Sequence, residues 1–169
     1  MMQDYFFIRK VHELAWASAS AGFDPFAAVL VKEGEIVAQS IDKCIEYSDP
    51  TAHAELTLIS EYCRTQTKIS LAGFTLYCNT EPCVMCSGAI HWSRISRLVF
   101  SVTQASLQGI SGGKPKPTCA EMINIGRKHT EVIGPLLEEE GLKVFQAFPF
   151  LSKQERHSKY HAKEEDKRS

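Results

Sequence analysis

With 169 residues, 44% of them hydrophobic and 23% charged, the chain has the length and balance of one domain with its own core. A formal net charge of −1 excludes a whole-protein pull toward nucleic acid or anionic lipid, though not a local basic patch. No apolar run is long enough to span a bilayer, and the start, with Asp4 ahead of Tyr5–Lys10, lacks the order of a secretory signal.

The opening segment, about Gln3 to Ala21, spaces Phe7, Val11, Leu14 and Ala15 as one helical face. Gly22 ends it and Asp24-Pro25 marks a turn. Ala27 to Lys32 reads as a buried strand, and Glu33-Gly34-Glu35 turns it back into a second strand, Ile36 to Ser40. Asp49-Pro50-Thr51 announces a helix running from Ala52 to Arg64, with Leu56, Leu58 and Ile59 on its apolar side. Phe74 to Cys78 is a third strand, Pro82 opens a helix to Ser93, and Leu98 to Val102 is a fourth strand. A Gly/Pro-rich loop is expected over Gln104–Pro117, followed by a short helix (Thr118–Ile125), a fifth strand (Glu131–Ile133) and a last helix (Leu136–Leu151). Alternation of helix and strand predicts an α/β domain over residues 1–151, with a mixed sheet between helical layers. Residues 152–169 form a polar tail with six Lys/Arg against four acids.

Two stretches carry chemistry. His53-Ala54-Glu55 falls at one helix start, and Pro82-Cys83-Val84-Met85-Cys86 at the next. A helix N-terminus offers unsatisfied N–H groups and partial positive charge, which ease thiol ionisation. Residues three apart share a helix face, so Cys83 and Cys86 can reach one ion. His53 and Glu55 are two apart and point differently, which suits a division of labour. His53, Cys83 and Cys86 are expected to hold one zinc ion, whose fourth position takes water or hydroxide, with Glu55 free to move protons beside it. A lone CxxC also fits a redox pair or half of a structural zinc knot. The first wants a thioredoxin-like context and the second a fourth ligand at comparable spacing, and neither is found. Cys44, Cys63, Cys78 and Cys119 read as ordinary buried or partly buried thiols of a chain in the reducing cytoplasm.

Asp49–Glu55 and Thr80–Ile90 resemble the cytidine deaminase-like superfamily. Within it they are similar to the branch of bacterial guanine deaminases and tRNA wobble adenosine deaminases. Pro25–Val31 is similar to that branch's first core strand, and the likeness runs well from Tyr5 to Val102. The resemblance implies a three-layer α/β/α fold with a five-stranded mixed sheet, usually assembled as a homodimer or larger. It implies zinc on His53, Cys83 and Cys86, proton shuttling by Glu55, and replacement of a ring amino group by oxygen with release of ammonia.

Substrate contacts are implied at Phe26, Asp42, Ala54 and Trp92. Ile90–Arg94 and Phe26 follow the guanine deaminase pattern, with Trp92 and Phe26 sandwiching a flat heterocycle. Core packing is the competing role for both aromatics, and capping of a turn for Asp42. Asp42 stands where the family usually has Asn; an ionised carboxylate only accepts, which favours a substrate presenting N–H there. The acidic pair of the guanine enzymes is absent between Val102 and Pro117, so another aminopurine, a pterin or a pyrimidine such as cytosine is also in range. Arg127, Lys128, His129 and the tail could form an RNA footprint for the tRNA alternative, although the Asn-His ending of the tRNA enzymes is not matched. The Gly-rich segment with Lys114 is no phosphate loop, lacking the Gly-Lys-Ser/Thr ending; a surface connection or substrate lid is the expected role.

Overall fold

A computed structural model describes residues 2–112, 117–126, 129–148 and, in the tail, 152, 154, 155, 157, 158, 160 and 161. In chain order the elements are α1 (Met2–Ser20), β1 (Ala27–Lys32), β2 (Glu35–Ile41), α2 (Cys44–Tyr47), α3 (Ala54–Thr65), β3 (Thr75–Thr80), α4 (Val84–Ser93), β4 (Arg97–Val102), α5 (Gln104–Ser111), α6 (Cys119–Ile123), β5 (Glu131–Ile133) and α7 (Glu138–Ala147). Lys114, Arg127, Lys128 and the tail's Lys and Arg residues lie outside the described residues.

The five strands form one mixed sheet in the order β2-β1-β3-β4-β5. β1 runs antiparallel to both β2 and β3, whereas β3, β4 and β5 are parallel. Each parallel step needs a crossover: α4 joins β3 to β4, and α5 with α6 joins β4 to β5. The helices cover both faces, so the central strands are buried on two sides and read as nearly continuous apolar runs. In β1, Ala28 and Leu30 enter one core with Leu58, Ile90 and Ile123, while Ala27, Val29 and Val31 enter the other with Phe7, Val11 and Phe145. β2 is the edge strand and is largely exposed. The expected three-layer α/β/α architecture is present.

Three local differences from the predicted elements have identifiable causes. Gln104–Ser111 is helical rather than loop, because Thr103 caps it by accepting from the Ser106 N–H. A single turn, α2, interrupts the stretch before α3. The last helix begins at Glu138, since Leu137 adopts a left-handed conformation (φ 55°) that cannot extend it backwards.

The interior strands β3 and β4 are tied to α1 by one polar cluster. Arg97 donates to Asp4 at 2.7 and 3.1 Å, and the Tyr77 hydroxyl donates to Asp4 at 2.8 Å. The Arg97 hydrogen bond, opposed by burial, holds the Asp4 carboxyl down at about 2. Two turns further along the same buried side of α1, His12 meets Ser101 of β4 at 2.8 Å. Ser101 also donates to the Leu137 carbonyl, which brings α7 down onto β4 at Gly141. A Cβ at Gly141 would lie 2.6 Å from Ser101 Oγ and 2.7 Å from Val102 Cγ2. Alanine normally improves a helix interior by about 1 kcal/mol over glycine. Here Gly141→Ala is expected to destabilise instead, by about 1–3 kcal/mol, because the overpacked methyl pushes against a strand. The urea unfolding midpoint reads the sign directly.

Candidate active site

The site forms where two helix starts meet beside the ends of β3 and β4. On one side, Asp49 accepts from the Thr51 backbone at 2.8 Å and from its hydroxyl at 2.7 Å, fixing the turn that delivers His53. On the other, the Glu81 N–H donates to the Val102 carbonyl at 2.7 Å, carrying the β3–β4 pairing one residue past the strand; Pro82 and the N-cap Cys83 then lead into α4 at Val84. His53 and Cys83 are the N-cap residues of α3 and α4, and neither side chain caps its own helix. Each is turned toward the other instead.

His53 Nδ1 lies 3.6 Å from Cys83 Sγ and 3.7 Å from Cys86 Sγ. A tetrahedral zinc bound at ordinary Zn–N and Zn–S lengths spans N···S edges of about 3.6 Å. The donor set, two thiols and an imidazole, suits zinc, and its spacing fits that ion. Without metal, the Cys86 thiol hydrogen bond and then the His53 ring hold Cys83 down at about 3. The same bond to Cys83, together with burial, pushes Cys86 up. Hydrogen bonds to Cys44 and then Cys83 raise His53 to about 10. A cation settling among the three would therefore expel protons from Cys86 and His53.

Glu55, in the first turn of α3, is buried beside this trio. Burial raises its carboxyl to about 7, against the pull of its own backbone N–H. Glu55 lines a cavity of about 110 Å³ with Phe26, His53, Thr80, Glu81, Cys83, Gln104 and Leu107. A second carboxylate thus reaches the same space, but its oxygens are committed. Glu81 accepts from the Cys119 backbone N–H at 2.8 Å and the Gln104 backbone N–H at 3.0 Å, and its carbonyl accepts from the Gln104 side chain at 2.7 Å. One carboxylate holds backbone while the other, raised by burial, stands beside the trio.

The expected substrate contacts divide. Phe26 lines the cavity and packs against Phe145, ring centroids 5.6 Å apart. Buried Asn79 holds the backbone on both sides of Phe26, accepting from the Ala27 N–H at 2.9 Å and donating to the Pro25 carbonyl at 2.8 Å. Ala54 is fully buried in the core beneath α3. Asp42 is not among the lining residues: it caps the turn into α2, its Oδ1 accepting from the Cys44 N–H at 3.1 Å. Trp92 is 81% exposed and, with His91, Arg94 and His129, borders a separate hollow of about 190 Å³. Within one chain, therefore, Trp92 and Phe26 do not face each other across one cavity; α4 ends with Trp92 turned outward.

Glu81, Asn79, Gln104 and Leu107 were not expected from sequence. Glu81 had one local cue, its place directly before Pro82-Cys83, and Gln104 and Leu107 follow once the Thr103 cap is seen. Asn79 looks like any strand residue until its partners at Pro25 and Ala27 are known.

A family model for the cytidine and deoxycytidylate deaminase zinc-binding region matches residues 1–102. The chain belongs to this family and is a deaminase, a hydrolytic enzyme acting on C–N bonds. Its relatives differ in what they are named for. The chain is 30% identical to a "probable cytosine deaminase" of Schizosaccharomyces pombe over 86% of its own length and 92% of that protein's. It is 34% identical to a tRNA-specific adenosine deaminase of Bacillus subtilis, over 88% and 89%. Among solved structures, guanine deaminase from Bacillus subtilis superposes with a TM-score of 0.58 at 32% identity, covering 85% of this chain and 91% of that one.

Replacing Glu81 with Gln keeps its size but exchanges one acceptor for a donor. Either the Cys119 or the Gln104 N–H then loses its partner, at a cost of about 1–3 kcal/mol. Glu81→Gln is expected to lower the urea midpoint accordingly and to raise KM, because the α5 wall of the cavity loses an anchor.

Proposed function

We propose that this deaminase acts on a free nucleobase-like aminoheterocycle, with guanine the first compound to try. The observation carrying the proposal is the small cavity in which Glu55 and Phe26 meet the His53–Cys83–Cys86 trio. Its volume of about 110 Å³ suits a ring rather than a large ligand. Phe26 supplies a flat face for stacking, and Asn79 fixes the backbone on which that face stands.

His53, Cys83 and Cys86 would hold one zinc ion per chain. Such an ion, when bound, lowers the pKa of water toward about 7. Glu55 receives a proton from the attacking water and delivers protons to the ring and the departing nitrogen. A carbon–oxygen bond forms, the carbon–nitrogen bond breaks, and ammonia leaves. Burial suits Glu55 to both halves of this task, because it brings the carboxyl near neutral pH.

We place the enzyme in the cytoplasm as a homodimer. All six cysteines are free thiols, and among the described residues no helix is long and apolar enough to cross a membrane. Val84, Trp92 and Ile125 leave exposed apolar surface on and beside the paired helices α4 and α6, which supports a protein partner there.

A second reading, editing of adenosine in tRNA, is favoured by the near full-length likeness to a tRNA-specific adenosine deaminase. Cytosine is a third, through the relative named for it. Ammonia release should be measured across guanine, other aminopurines, a pterin, cytosine, nucleosides and tRNA. Turnover of a free base is expected. Activity confined to tRNA, falling steeply with salt, would replace the first reading by the second. Glu55→Gln is expected to retain zinc, measured by elemental analysis, while kcat falls by about 10²–10⁴. Unchanged turnover in that variant would overturn the proposed proton transfer.

A further inference from the structure

The hydrogen bonds behind His53 have no part in the reaction as described. Asp42, Cys44 and His53 form a second cluster of ligand-type groups, with one atom from each within 4.8 Å of the others. Asp42 and Cys44 are 3% and 6% exposed. The Cys44 thiol donates to Asp42 Oδ2 at 3.5 Å while its backbone N–H donates to Oδ1. The thiol sulfur also lies within 4.8 Å of a nitrogen of the His53 ring. The Lys43 N–H donates to the Ala52 carbonyl at 2.8 Å, clamping this turn to the residue before His53.

Imidazole has two nitrogens, and Nδ1 faces Cys83 and Cys86. Nε2 is the one left for Cys44. A neutral ring that offers its Nδ1 lone pair carries its proton on Nε2. That N–H is the ring group available to the nearby Cys44 sulfur, whose own hydrogen is directed to the Asp42 carboxylate. An ionised carboxylate accepts only, so it orients both donors in one direction. Both Asp42 oxygens already accept from Cys44, which argues against this cluster as a metal site of its own.

We propose that Cys44 and Asp42 are positioning residues, which lock His53 in the tautomer and orientation that present Nδ1 to a metal ion. This rests on the reading of His53, Cys83 and Cys86 as the metal ligands. It gives Asp42 a role behind the metal instead of against substrate, and it separates Cys44 from the chain's ordinary buried thiols. Groups behind a metal-bound histidine commonly affect affinity by about 10–100-fold.

Zinc affinity of the full chain, measured by competition with a chromophoric chelator, tests the relay, alongside the absorption spectrum of the cobalt-substituted protein. Cys44→Val keeps an apolar side chain there and removes the sulfur that stands between Asp42 and His53; zinc affinity is expected to fall by about 10–100-fold. Asp42→Asn can still accept from the Cys44 N–H, but it offers the thiol an N–H₂ group. It should also weaken zinc binding and shift the cobalt bands, with a urea midpoint near that of the unmodified chain. Cys44→Ser, which keeps a donor and an acceptor, should restore much of the affinity lost in Cys44→Val. If Cys44→Val fails to fold, Asp42→Asn carries the test. Unchanged zinc affinity and cobalt bands in Asp42→Asn, with metal lost in His53→Ala, would overturn the relay alone. Full zinc retention in His53→Ala would instead overturn the ligand assignment on which it rests.

Discussion

Two sulfurs and one ring nitrogen must converge within 4 Å of contact from residues thirty positions apart in the chain, and that convergence governs the rest of the molecule. No single helix can supply it. The nitrogen comes from the N-cap of α3 and one sulfur from the N-cap of α4, so the two helix starts must be placed against each other before either side chain matters. The sheet does this placing. β3 ends beside β4 and hands the chain directly to Glu81, while β1 brings Phe26 and the turn after β2 to the same end. Helices on both faces then leave the central strands little freedom to slide, since a shift by one residue would exchange the inward sets of β1 between two different cores.

The site's electrostatics follow from the same convergence. Three ionisable groups at close quarters cannot all keep their ordinary protonation. Cys83 gives up its proton readily because Cys86 donates to it, and Cys86 holds its own proton for the same reason. Glu55 stands slightly apart, raised chiefly by burial rather than by a partner. Two carboxylates reach one small cavity: Glu81 accepts from backbone N–H groups of two other segments, while Glu55 is buried next to the trio. Location alone would not separate these roles; hydrogen-bond commitments do.

Residues whose placement depends on local spacing were legible in the sequence. His53, Glu55, Cys83 and Cys86 sit at helix starts announced by Asp49-Pro50 and Pro82, and the alternation of strands and helices conveyed the layered fold. Residues that work through long-range partners were not legible. Asn79 acts on Pro25 and Ala27, more than fifty positions away. Glu81 acts on Gln104 and Cys119, the second in a segment whose helical character depends on caps rather than on a strong apolar pattern. Asp42 and Trp92 mark the boundary between these cases. Both were plausible substrate contacts by position, but Asp42 is held by the turn it caps, and Trp92 emerges on the outer end of α4.

The cavity's floor and rim are built on different supports. His53, Glu55 and Cys83 are anchored through the sheet, whereas Gln104 and Leu107 belong to α5, whose first turn is fastened by Glu81 and by Glu138, which accepts from Thr103. This helix has its own supports, with Leu107 in the core and α7 alongside, and none of the trio belongs to it. A change confined to α5 would therefore alter the cavity's wall while His53, Cys83 and Cys86 keep their own supports in α3, α4 and the sheet.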